Sequence, residues 1–396
     1  MADRSGATVM NYPHRRGGHC GSGAMRDLLE WAGLGWDGPP GEGLVFALSG
    51  SLDLSYVRDA TLMPPVYLVG RGSDLETDLP ERLGASVSVL ASDDPTEGWN
   101  WVRDAVDAGR PALVWADIAE LPYLRVRLQM SRHDIVVIGY DDEQELVHVV
   151  DNDRDEVQLV SYAALARARS SQGFPVPTRH TYYDIDWPER LPELSSAAAQ
   201  AFAQAAASMT SADGPSIVSG RDSTAVGATG LAAVDLFAAD IASWPEVFPD
   251  DILDLVLLGL SAFVEKAGTG GGLFRRLLSS GADDIARLTG DGRANEVAAA
   301  AHNEPNRHEV GGPLVGVGAL DADASGDAGE VAPREVAVDD GGQTGGQTGG
   351  HGRHVDVAVD GVAEDLVRCG DQAAYLVRSG STAALRSCLP STCRGP

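Results

Sequence analysis

Apolar positions recur with helical spacing at Ala24, Met25, Leu28, Leu29 and Ala32, which marks one face of a helix, and Gly33 supplies its stop. Short apolar runs follow at 44–48 and 66–69, separated by Gly, Ser and a Pro-Pro pair. Asp74 to Leu83 reads as a helix in spite of Pro80, and Ser86–Leu90 as a strand. Asp94 and Pro95 form a cap and a first-turn proline for a helix that carries Trp99, Val102 and Val106 to Gly109. Strands are predicted over Pro111–Ile118 and Ile135–Tyr140. Asp141-Asp142 makes a turn, Leu146–Val150 returns as the hairpin partner, and Val157–Val160 follows. A short helix over Ser161–Arg169 and a strand over His180–Ile185 complete a helix-led, antiparallel α+β region.

From about Pro192 the period is helical only. Helices are predicted over Leu194–Met209, Ala228–Ser243, Asp250–Lys266 and Leu273–Leu288, a second, all-helical domain over 192–290. After Leu288 the pattern fails. Beyond residue 300 there is no Ile, Phe, Trp, Met or Lys, and 341–350 carries a Gly-Gly-Gln-Thr repeat. So little apolar side chain cannot offset the entropy of ordering, so a disordered tail is expected over 292–396. The break in residue usage also fits a shifted reading frame.

Charge narrows the function classes. The 396 residues hold 30 Lys+Arg against 58 Asp+Glu, a formal net charge of −28. That excess argues against nucleic acid or an anionic membrane as partner. No apolar run approaches the roughly 18 residues of a spanning helix. The N-terminus lacks an apolar signal core, so a cytoplasmic protein is expected. Of the 4 cysteines, only Cys20 precedes Cys369, which is not a disulfide framework.

Cys20 follows Gly17-Gly18-His19 and opens the first helix, where free N–H groups and the positive dipole end favour a thiolate. His133 leads into the Ile135–Tyr140 strand, and Asp151 ends the returning strand, so the hairpin can bring the two together. Thiolate, imidazole and an orienting carboxylate form a catalytic triad. By spacing alone, an ordinary loop histidine and a turn-capping aspartate fit as well. His148 alternates with Leu146 and Val150 and reads as a strand histidine. Asp141-Asp142-Glu143 and Asp151–Asp155 lack the ligand spacing of a calcium loop, and no zinc-type set is present in the folded part. Arg15-Arg16 reads as an exposed pair, with attraction of an anionic carrier or phosphopantetheine arm as the alternative.

Several blocks in order carry a family resemblance: His19-Cys20-Gly21-Ser22-Gly23-Ala24, Gly70-Arg71, Leu121-Pro122-Tyr123, His133 through Asp141, and Asp151. With Leu165–Arg169 and Pro175–Pro177, they resemble the N-terminal domain of butirosin biosynthesis protein H over about 10–188. Val264-Glu265, Gly268–Gly272 and Phe274-Arg275 resemble the uncharacterised domain that commonly follows it. The resemblance implies a papain-like cysteine-peptidase fold with Cys20, His133 and Asp151 as the catalytic set. It also implies an acyltransferase that moves an acyl or aminoacyl group from an acyl carrier protein thioester to an amine of a small molecule. No bound cofactor is implied, and the carrier's phosphopantetheine arm belongs to the donor. Arg71, Tyr123 and Arg275 are the substrate-binding candidates, Arg275 assisting an anion at Gly268–Gly272 unless that stretch is simply a turn.

One departure concerns the oxyanion donor. Papain-like peptidases carry a glutamine a few residues before the cysteine, and this chain has none before Cys20. The Cys20 N–H at the helix start and the His19 side chain are the candidates, with His14 as another histidine in reach. The same triad with water as acceptor would make a cysteine peptidase or amidase. A non-catalytic binding module is the alternative of a different class.

Overall fold

The computed structural model describes residues 8–302 apart from 63, 73, 127–128 and 212–224. The expected disordered tail lies outside the described residues from 303 onward, as do the three late cysteines. The chain enters through β1 (Thr8–Val9), α1 (Cys20–Trp31) and α2 (Glu42–Ser49). It continues with β2 (Leu52–Arg58), β3 (Val66–Arg71), α3 (Leu75–Arg82), β4 (Ser86–Leu90) and α4 (Pro95–Asp107). Strands β5 (Ala112–Ala116), β6 (His133–Asp141), β7 (Leu146–Val150) and β8 (Gln158–Ser161) precede α5 (Tyr162–Arg169) and β9 (Tyr182–Asp186).

The main sheet is antiparallel in the order β4-β9-β5-β6-β7-β8, with β1 paired to β6. Its central strand is buried on both faces. Val136 and Ile138 join the core with Leu28, Leu29, Leu44, Leu75 and Leu79, while Ile135 and Val137 join Val102, Val106, Leu165 and Ala168. One face therefore carries α1, α2 and α3, and the other α4 and α5. Two-sided cover explains why 135–138 reads as an unbroken apolar run in an antiparallel sheet. Burying each of those side chains contributes roughly 1.5–3 kcal/mol as an upper estimate.

The apolar run at 44–48, to which the pattern assigns no element, is a helix. A run this short carries no period of its own, and α2 is buried along Gly43–Ser49 with no solvent face to betray the helical repeat.

The remaining segment is helical apart from one strand: α6 (Leu194–Thr210), β10 (Val226–Thr229), α7 (Gly230–Asp240), α8 (Trp244–Val247), α9 (Asp250–Ala262), α10 (Leu273–Thr289) and α11 (Gly292–His302). Strand β10 completes a second sheet, β10-β2-β3, whose core includes Tyr56, Leu68, Phe237, Trp244 and Leu260. The predicted start of a helix at Ala228 is therefore delayed to Gly230. Helix α10 crosses α2 backbone to backbone: a Cβ on Gly281 would collide with the Gly43 carbonyl oxygen. Helix α11 falls where a tail was expected. Its buried face is only alanine, Ala294, Ala298 and Ala301, and Ser279 of α10 donates to the Ala298 carbonyl oxygen at 3.0 Å. No helix among the described residues is long and apolar enough to cross a membrane.

Candidate active site

The glycine-rich loop before α1 is fastened from several directions. Glu42 accepts the Gly18 N–H at 2.8 Å, the His19 N–H at 2.9 Å and the Ser22 hydroxyl at 2.9 Å. Gly17 N–H donates to the Asn152 carbonyl oxygen at 2.9 Å, which ties the loop to the residue after Asp151. His14 stands 3.0 Å from Asp27 through Nδ1 and 2.8 Å from the Arg154 carbonyl oxygen through Nε2. Burial opposes its proton, but the Asp27 carboxylate and the Arg154 carbonyl outweigh burial and raise its pKa. Both ring nitrogens are thus engaged in holding the loop, which takes His14 out of the oxyanion candidates.

Cys20 is the first residue of α1 and half-buried. The structure brings together the residues that spacing had only placed on paired strands. His133 Nε2 lies 2.8 Å from Asp151 Oδ2, and the Cys20 thiol is close enough to feel both His133 and His19. With Nε2 on Asp151, Nδ1 is the ring nitrogen left for Cys20. Val136 pairs with Val150, so His133 and Asp151 share one face as near-diagonal neighbours. Burial pushes the Cys20 thiol up, yet His19 and His133 outweigh it and hold the pKa well below the ordinary thiol value. Burial likewise opposes a charge on His133, but Asp151 and then Cys20 raise it well above an ordinary histidine. The two directions agree on a thiolate–imidazolium pair.

Asp151 is buried and accepts from three donors: His133, the Tyr123 hydroxyl at 2.7 Å and the Asp153 N–H at 3.1 Å. Burial alone would raise its pKa; the His133 charge and these donors bring it below the usual carboxylate value. Tyr123 was a substrate-binding candidate. The structure instead commits its hydroxyl to Asp151, with the Arg154 guanidinium over its ring at 5.9 Å.

A second acid cluster lies on the other side of the nucleophile. Strand alternation turns Asp134 away from His133 and under α1, where it meets Glu76 of α3. Both are buried, and a Cβ on Gly21 would collide with Glu76 Oε1 and lie 3.2 Å from Asp134 Oδ2. Arg132 pairs with Glu76 at 3.3 Å and stacks over the Trp115 ring at 4.8 Å. Burial, then Glu76 and Cys20, push Asp134 well above the ordinary carboxyl range. Glu76 carries no sequence signal, since an acid in the first turn of a helix is what the dipole favours anyway. Asp134 has one: two polar or charged residues, His133 and Asp134, open a strand that is otherwise buried.

The other candidates lie on neighbouring elements. Arg71 ends β3 and donates to the Gly72 carbonyl oxygen at 3.1 Å. Arg275 follows Phe274 in the first turn of α10. In the glycine stretch, Gly270, Gly271 and Gly272 take φ of 60°, 60° and 84°, and Arg276 donates to the Gly271 carbonyl oxygen at 2.7 Å. This is a left-handed turn into α10. Arg15 pairs with Glu30, and Arg16 lies 3.9 Å from Asp155. His148 stays within the sheet, opposite Leu159. Asp141 accepts the N–H groups of Glu143 and Gln144 in the hairpin turn. Among the described residues no group of His, Cys, Asp and Glu is placed to hold a metal ion.

Residues 19–152, which contain Cys20, His133 and Asp151, match the family model described as Butirosin biosynthesis protein H, N-terminal. Residues 163–306 match a Domain of unknown function (DUF4872). That second match begins inside α5 and takes in α11, ahead of and beyond the expected bounds of 192–290. No curated protein matches the chain. The N-terminal part of the chain is thus matched by the butirosin biosynthesis protein H model, with the domain of unknown function following in the order the resemblance implied.

Proposed function

We propose that the protein is a cysteine-dependent acyltransferase of antibiotic or related natural-product biosynthesis, taking its acyl group from a carrier-protein thioester. The observation that carries this reading is the His133–Asp151 pair acting on the Cys20 thiol at the start of α1, all inside the matched domain. The resting pair is a thiolate and an imidazolium. The thiolate attacks the thioester carbonyl, and the tetrahedral intermediate collapses with loss of the carrier thiol, which takes its proton from His133. His133 is then neutral and removes a proton from the acceptor amine as it attacks the Cys20 thioester. Collapse of the second intermediate releases the amide and restores thiolate and imidazolium. Asp151 holds the ring through both halves.

Exchange of one thioester for another needs little driving force. The burden falls on positioning the amine and excluding water. The test is incubation with a carrier-bound acyl thioester, followed by intact-protein mass spectrometry. An acyl adduct lost in Cys20→Ala, and discharged by amines faster than by water, supports the reading. Peptide cleavage with no acyl adduct from any thioester would put a cysteine peptidase in its place.

A further inference from the structure

The His19 ring has an unusual combination of fixed and free atoms. Its Nδ1 accepts the Ser22 N–H of the first turn at 3.2 Å, as a helix cap. A backbone N–H cannot reverse its role, so Nδ1 carries no proton and the neutral ring carries it on Nε2. That Nε2 is buried and has no hydrogen-bond acceptor. A buried donor without a partner costs free energy, which marks the site as one that something else completes. The ring belongs to the residue that caps α1 immediately before Cys20.

The ring's orientation is set from outside its own domain. Phe274, in the first turn of α10, meets it edge to face, with centroids 5.2 Å apart and planes at 79°. Phe274 is itself stacked on Phe46 of α2 at 5.3 Å and 25°. Next to it, Leu273 closes on the loop, since a Cβ on Gly18 would lie 2.7 Å from Leu273 Cδ1. The backbone contact of Gly43 with Gly281 fixes α10 against α2.

We propose that the domain of unknown function completes the catalytic centre: Phe274 holds the His19 ring so that its free Nε2–H donates to the oxyanion formed at Cys20. The Cys20 N–H, first in α1, is the second donor. His19 is then a catalytic residue and Phe274 a positioning residue. This rests on Cys20 being the nucleophile, but not on whether the acceptor is an amine or water.

The test compares two reactions of Cys20 in the full chain. Acylation by p-nitrophenyl acetate passes through an oxyanion, whereas alkylation by iodoacetamide does not. In His19→Asn the side-chain oxygen still caps the helix, so folding is kept, but the short amide cannot reach the oxyanion. The acylation rate is expected to fall about 100-fold or more, with alkylation changed only a few-fold. His19→Gln, whose amide reaches further, recovers part of the loss. Phe274→Leu keeps the packing volume and loses the ring edge. Its acylation-to-alkylation ratio is expected to fall about three- to tenfold.

An unchanged ratio in His19→Asn, or the two rates falling together, would overturn the proposal, because His19 would then act only on the thiolate. Alkylation of the wild-type chain no faster than an ordinary thiol would instead remove Cys20 as nucleophile, a separable failure.

Discussion

Tyr123→Phe separates a substrate-binding role from a positioning role. The substitution removes one O–H donor from Asp151 and leaves His133 Nε2 at 2.8 Å and the Asp153 N–H at 3.1 Å. A hydrogen bond to a buried charge contributes about 1.5–3 kcal/mol. Tyr123 is half-buried and no atom replaces its hydroxyl, so the native state should lose about that much at neutral pH. The sign with pH follows from Asp151. Its folded pKa lies below the unfolded value of about 3.9, so its contribution is complete above pH 4 and is lost as pH falls through the folded value. Tyr123 is one of the groups that depress it, so both chains begin to lose this contribution at the shared unfolded value, and the variant's loss is complete at higher pH than the wild type's. The difference between the two chains should then shrink in acid.

Urea unfolding at pH 7 and at a series of lower pH values measures both effects, with iodoacetamide alkylation of Cys20 in parallel and no substrate present. Equal stability at every pH, with an unchanged alkylation profile, would return Tyr123 to the substrate site.

Two further outcomes follow from the packing. Gly21→Ala drives a methyl group into Glu76 Oε1 and should cost about 1–3 kcal/mol by urea unfolding. Glu76→Asp, one methylene shorter, should recover part of that in the double variant, and strict additivity would mean that the two do not touch. Removing residues 303–396 should leave Cys20 alkylation unchanged, whereas removal from Gly292 also takes α11 from α10. Burial of Ala294, Ala298 and Ala301 and the Ser279 bond together predict a loss of roughly 3 kcal/mol for the longer deletion. Equal stability of the two truncated chains would refute the packing of α11.

Much of the centre is local in character, and local character is legible. The start of α1 at Cys20 follows from a glycine-rich loop meeting a helical apolar face, and the hairpin that joins His133 to Asp151 follows from two apolar strands around an acidic turn. The papain-type glutamine is missing, and His19 stands immediately before the cysteine as a side-chain donor in its stead. What was not legible depends on contacts between distant segments. Phe274 lies far from His19 along the chain and only α2 and α10, crossing at two glycines, bring them together. Glu76 looks like any first-turn acid until Asp134 is beneath the same helix. Helix α11 escaped because alanine carries a weak apolar period, although Ala294, Ala298 and Ala301 are all buried.

The central claim is that Cys20 is held as a thiolate by His133, itself charged against Asp151. Alkylation of Cys20 by iodoacetamide as a function of pH tests it most directly, with His133→Ala as the comparison. Because the thiol is lowered and the imidazole raised, the wild-type rate should already be on its plateau well below the free-thiol pKa of about 8.5. In His133→Ala the inflection should move up toward the ordinary thiol range. A wild-type profile that rises only near 8.5 and is the same in His133→Ala would contradict the account.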